Sequence, residues 1–126
     1  MPEKTKVLLA STENHIFKEV CAALSQNHDV IWVKEGVEVL ETVIQNAPVL
    51  TILDLQIGNM GGMATSLDLR LEQRANRIPP QKVLMLLDRE ADEFLGKRSE
   101  ADCWIIKPID PLALSQKVDE LLIVDR

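Results

Sequence analysis

Val49-Leu50-Thr51-Ile52-Leu53-Asp54 is an almost unbroken apolar run that ends on a carboxylate. A run of four or five apolar residues without polar alternation suits a strand buried on both faces, with helices covering both sides of the sheet. Four more such runs occur: Val7-Leu8-Leu9-Ala10, Val30-Ile31-Trp32-Val33, Val83-Leu84-Met85-Leu86-Leu87 and Cys103-Trp104-Ile105-Ile106. Between them lie segments of helical period. Their apolar stripes are Ile16, Val20, Ala23 and Leu24; Val37, Leu40 and Ile44; Met63, Leu67 and Leu71; and Leu114, Val118, Leu121 and Leu122. Asp88 to Glu100 is weaker, with Ala91, Phe94 and Leu95 as its apolar contacts, and is expected to form a short, polar, mobile helix. Asp110-Pro111 reads as an N-cap followed by proline at the first helical position. Asn46-Ala47-Pro48 and Ile78-Pro79-Pro80 read as loops before strands. Strand and helix alternate five times, which gives a doubly wound α/β fold: a five-stranded parallel sheet with right-handed crossovers and helices on both faces.

The chain has 126 residues, the size of a single domain spanning 1–126. Twenty acids against fourteen bases leave a net charge of −6. That balance argues against a phosphate-tracking nucleic-acid binder and against an anchor on an anionic membrane. Four aromatic residues, none of them tyrosine, are too few for a base-stacking surface. Cys21 and Cys103 stand far apart, without a CxxC or Cys/His cluster, and read as small hydrophobes in a reducing compartment. The apolar stretch near the N-terminus is too short for a signal peptide, and no run approaches the roughly 20 residues of a membrane span. The expectation is a cytoplasmic protein. His15 and His28 are expected in ordinary solvated positions, the first in a helix's first turn and the second in a loop.

In sheets of this kind functional groups gather where strands end at the carboxyl edge. The residues just past the five runs are Ser11, Thr12 and Glu13; Lys34 and Glu35; Asp54, Leu55 and Gln56; Asp88; and Lys107 and Pro108. Asp54 opens a glycine-rich loop, Gly58-Asn59-Met60-Gly61-Gly62. A carboxylate there is partly desolvated unless paired, and Lys107 is its natural partner. At ~4 Å and an effective dielectric of about 20, the pair would gain roughly 4 kcal/mol before desolvation is subtracted. Spacing alone is equally consistent with a partly buried ion pair of purely structural use.

Along essentially its whole length the chain resembles a response-regulator receiver domain, the phosphoacceptor module of two-component signalling. Lys6-Val7-Leu8-Leu9-Ala10 resembles the family's first strand, and Leu53-Asp54-Leu55 the strand end that carries its phosphoacceptor aspartate. Met60, Gly61 and Gly62 sit where the family has a Met-Asp-Gly turn. Ala101-Asp102-Cys103-Trp104-Ile105-Ile106-Lys107-Pro108 resembles the fifth strand and its Lys-Pro, usually a cis bond. The resemblance implies a flavodoxin-like (βα)5 sheet of order 2-1-3-4-5. It also implies Asp54 as candidate phosphoacceptor.

The departures from the family are concentrated at the site. Ser11 and Thr12 replace two acids that normally hold a divalent cation, and uncharged hydroxyls are poor Mg²⁺ ligands. Glu13 and Asp54 remain as weak metal candidates, Glu13 reading more simply as a solvent-facing first-turn acid. Leu87 replaces the Ser or Thr whose hydroxyl moves with the switch, and it cannot donate a hydrogen bond. Asp88 stands where a small residue is usual and would repel a phosphoryl group. Trp104 takes the place of the switch aromatic and is expected to be fixed. Gly58 and Gly61 replace a usual Pro and Asp and add flexibility to the loop after Asp54. With the metal ligands and the hydroxyl gone, the expected function is an atypical, phosphorylation-independent, stand-alone receiver. It would be a protein-interaction module rather than an enzyme, without cofactor and with no output domain following. Its partner would be a histidine kinase or an effector protein, or a second copy docked on the face of the fourth helix, fifth strand and fifth helix. The alternative is a working phosphoacceptor, phosphorylated on Asp54 by a histidine kinase with Mg²⁺. A flavin-binding domain is disfavoured, because no Ser/Thr-rich phosphate loop and no GxGxxG follow the first strand.

Overall fold

Each of the five apolar runs becomes a strand in the computed structural model, which describes residues 4–123. The strands are β1 (Thr5–Ala10), β2 (His28–Val33), β3 (Leu50–Asp54), β4 (Val83–Leu87) and β5 (Cys103–Ile106). The helices are α1 (Asn14–Leu24), α2 (Val39–Asn46), α3 (Gly62–Arg74), α4 (Glu93–Arg98) and α5 (Pro111–Ile123). Short 3-10 turns, Gly36–Glu38 and Glu90–Asp92, lead into α2 and α4. All pairings are parallel, in the order β2-β1-β3-β4-β5. The expected α/β architecture and strand order are those observed, and the Lys107–Pro108 bond is cis.

The sheet divides the core into two clusters. Successive side chains of a strand point to opposite faces. Val7, Leu9, Leu50, Ile52, Leu84 and Leu86 therefore lie on one side, under Ile16, Val20 and Leu24 of α1 and Leu114 and Val118 of α5. Leu8, Ala10, Leu53, Val83, Met85 and Leu87 face the other side, under Val39 and Val43 of α2 and Leu69 of α3. The two-sided burial explains why β3 and β4 are apolar at nearly every position. Asp110 does cap α5: its carboxylate accepts the Leu112 amide at 3.2 Å.

Two of the four helical stripes are corrected. Val37, Ile44 and Leu71 are exposed. In α2 the phase is set by Val39 and Val43, because Val37 belongs to the preceding 3-10 turn. The inward face of α3 is mainly small or polar: Gly62, Thr65, Ser66 and Arg70 are buried beside Leu69. A Cβ on Gly62 would lie 2.5 Å from the Asp54 carbonyl oxygen, so the helix start passes too close to β3 for a side chain. Ser66 donates to the Ser99 carbonyl at 2.7 Å. Arg70 donates to the Gln81 and Glu100 carbonyls, to Gln73 and to Asp102. These polar anchors, rather than an apolar stripe, seat α3.

His28 is likewise not a solvated loop residue. It opens β2 opposite Thr5 of β1, is buried, and shares a hydrogen bond with the Thr5 hydroxyl. His15 is exposed in the first turn of α1 and faces Glu13. Cys21 and Cys103 are free and half-buried.

Candidate functional site at the carboxyl edge of the sheet

Asp54 ends β3 at 1% exposure, and three donors meet its carboxylate. Lys107 Nζ donates to Oδ1 at 2.7 Å, the Gln56 amide donates to Oδ1 at 3.1 Å, and the Ser11 hydroxyl donates to Oδ2 at 2.8 Å. The sheet order makes this convergence: β1 and β4 flank β3, and β5 lies beyond β4. Lys107 follows β5 directly and reaches across to both carboxylates on the neighbouring strand ends. Its second bond goes to Asp88 Oδ1 at 3.0 Å. The carboxyl edge thus holds two carboxylates on one ammonium.

Burial alone would lower the Lys107 pKa, but its hydrogen bonds to Asp54 and Asp88 outweigh that cost and hold it above the ordinary lysine value. Burial alone would raise Asp88, yet its hydrogen bonds to Lys107 and the Gln56 side chain hold it below the usual carboxylate value. Asp88 therefore does more than face the pocket as a repelling charge: it is a partner of the pocket's cation.

The remaining candidates divide. Ser11 is fully buried, and besides serving Asp54 its hydroxyl accepts the Glu13 amide at 3.1 Å. Thr12 is exposed at the rim. The Glu13 carboxylate turns away to His15 at 3.5 Å and does not join Asp54. Leu87 is buried in the second apolar cluster, against which Trp104 and Ile106 pack, so its side chain does not line the polar pocket. Its carbonyl only receives the Lys107 amide at 2.8 Å. Trp104 is held: its indole N–H donates to Glu93 at 2.9 Å, and Gly96 lies so close that a Cβ there would fall 2.9 Å from the ring.

The Mg²⁺ that the resemblance associates with this pocket does not fit these residues. Ser11 is spent on Asp54, Glu13 on His15, and Asp54 and Asp88 share Lys107. Among the described residues no three His, Cys, Asp or Glu side chains gather as a metal site. A surface cleft of about 470 Å³ lies elsewhere, at the end of α3 and the loop before β4, and contains no residue of the Asp54 pocket.

Sequence reasoning places Gln56 at the edge without a role and misses Trp32. The Trp32 indole donates to the Ser11 carbonyl at 2.8 Å, stacks on Phe17 at 4.4 Å, and carries Lys34 Nζ 4.8 Å above its ring. The available signal is positional: Trp32 is in register with Leu9, two residues before Ser11. One hydrogen-bonded series therefore runs from β2 through Ser11 and Asp54 to Lys107 and Asp88, touching the end of every strand.

No protein-family model matches the chain. Among curated proteins it is 29% identical over 121 residues to the probable transcriptional regulator ycf27 of Porphyridium aerugineum, covering 95% of this chain and 49% of that one. It is 27% identical over 118 residues to the alkaline phosphatase synthesis transcriptional regulatory protein PhoP of Bacillus subtilis, covering 93% and 48%. The chain spans about half the length of these curated relatives. Among solved structures, chemotaxis protein CheY4 of Vibrio cholerae superimposes with a TM-score of 0.80 at 22% identity, covering 95% of this chain and all of that one. The receiver domain of a signal transduction histidine kinase from Syntrophus aciditrophicus gives 0.82 at 21%, covering 95% and 91%. The chain thus has the fold and strand order of these solved receiver structures, and over nearly its whole length it is similar to the regulators named above. No helix among the described residues is long and apolar enough to cross a membrane.

Proposed function

We propose that this receiver acts without phosphorylation, as a protein-interaction module in which Asp54 is a structural anchor. One observation carries the reading: both oxygens of Asp54 are already engaged, by an ammonium, a hydroxyl and an amide, and among the described residues no three His, Cys, Asp or Glu side chains gather to hold a metal. Transfer of a phosphoryl group needs its charge neutralised by metal and cation. Here the cation bonded to Asp54 is divided between two carboxylates. The module binds rather than catalyses. Its partner is a histidine kinase or an effector protein, and the surface of α4, β5 and α5 is its dimerisation face. Its compartment is the cytoplasm, which suits two free thiols.

A second reading is favoured by the 2.7 Å contact between Lys107 and Asp54, which keeps a cation against the candidate acceptor oxygen. On that reading Asp54 is phosphorylated by a partner histidine kinase. Incubation with a small-molecule phosphodonor and Mg²⁺, followed by intact-mass measurement, separates the two. The expected result is an unchanged mass. A phosphoryl gain that disappears in Asp54→Asn overturns the proposal.

A further inference from the structure

Asp88 is the first residue after β4, and the chain passes from it through the 3-10 turn into α4. Leu87 offers no polar side-chain atom. Two hydrogen-bonded paths from Asp54 toward α4 therefore meet at Asp88: one through Lys107, the other through Gln56, whose amide bonds Asp54 and whose side chain bonds Asp88. Beyond it, α4 rests on few polar anchors: Glu93 accepts the Trp104 indole N–H, and Ser66 donates to the Ser99 carbonyl. The helix carries Phe94 outward, 57% exposed.

The two arms of Lys107 are not equivalent. The Asp54 side chain is 1% exposed, so a broken bond there leaves a charge without water. The Asp88 side chain is 32% exposed and keeps its bond to the Gln56 side chain, so a carboxylate released from Lys107 is taken up by solvent at little cost. When the two compete, Lys107 stays with Asp54 and Asp88 is the arm that lets go.

We propose that Asp88 is a releasable latch on α4: its bond to Lys107 holds residues 88–98 in place, and an anionic oxygen that takes over that position on Lys107 frees the segment and the Phe94 surface. The latch exists whether or not Asp54 accepts a phosphoryl group, because it is already closed in the unmodified chain.

The test is hydrogen exchange on the full chain with no phosphodonor present. Asp88→Asn, a substitution at a partly exposed position, is expected to speed exchange about fivefold at amides 89–98, the size expected of losing one partly exposed ion pair. It should shift the indole N–H resonance of Trp104 and leave β1 and β3 unchanged. Lys107→Gln is expected to loosen the same amides, and the double variant to add nothing at them beyond either single change. Wild-type exchange at residues 89–98 in Asp88→Asn overturns the latch. So does strict additivity of the two variants, which would mean that they act on α4 separately.

Discussion

Replacing Lys107 by Met removes the cation from a carboxylate that is itself 1% exposed. Breaking one partner out of a buried pair costs about 3–5 kcal/mol when the other charge is stranded. Two features reduce that figure. Asp54 keeps its bonds from Ser11 and the Gln56 amide, and the Lys107 side chain is 18% exposed, so water can partly fill its place. One feature works the other way: Asp88 loses the ammonium that separates it from Asp54. The balance is a loss of about 2–3 kcal/mol. With a urea slope of about 2 kcal/mol/M for a chain of this size, the unfolding midpoint should fall by roughly 1–1.5 M. The second arm of the experiment is Asp54→Asn combined with Lys107→Met. It leaves no fully buried charge in the pocket and is expected to be more stable than Lys107→Met alone. A midpoint shift below about 0.3 M for the single variant, with the slope unchanged, or a double variant less stable than the single, would refute the account of Asp54 as a paired buried charge.

Arg70→Met should cost about 2–4 kcal/mol in the same urea assay, because it takes the donor from the Gln81 and Glu100 carbonyls and the cation from Asp102, which keeps only the Val83 amide and solvent. Arg70→Lys should recover only part of that, since an ammonium cannot reproduce the guanidinium fork. Gly36→Ala would place a Cβ 2.1 Å from the Met60 carbonyl oxygen and 2.5 Å from the Thr65 hydroxyl, and is expected to lower the melting temperature by several degrees through overpacking of backbone. His28 titrates below its ordinary value because burial disfavours the charged ring, with Asp119 opposing the effect. Its stabilisation is therefore fully present above the unfolded pKa of about 6.5 and is lost as pH falls toward the lower folded value. Melting temperatures should drop between pH 7 and 5 in the wild type, and the slope should flatten in His28→Gln.

The strands and the Asp54–Lys107 pair are legible in the sequence because one physical rule governs both: a run buried on two faces is apolar until it reaches the edge, and the first polar residues beyond it converge there. The helices are less legible because an apolar period does not say which face is buried. In α3 the seats are a glycine pressed on Asp54, two hydroxyls and an arginine, none of which a hydrophobic stripe can reveal. His28 has the polar neighbours of a loop residue, yet pairing with Thr5 draws it into β2. The sign of Asp88, taken by itself, suggests repulsion. Only the placement of Lys107 between two strand ends turns that charge into a bond.

The strand order also distributes the molecule's light-absorbing groups. There are two tryptophans and no tyrosine, and β2 and β5 are the two outer strands. Trp32 thus watches one margin of the sheet, through its bond to Ser11, and Trp104 watches the other, through its bond to Glu93. Their surroundings differ, since one ring stacks on Phe17 beneath an ammonium and the other lies on a glycine beside a carboxylate. Replacing either tryptophan with phenylalanine leaves a single emitter. Its spectrum then reports separately on events at the Asp54 pocket or at α4, without any attached dye.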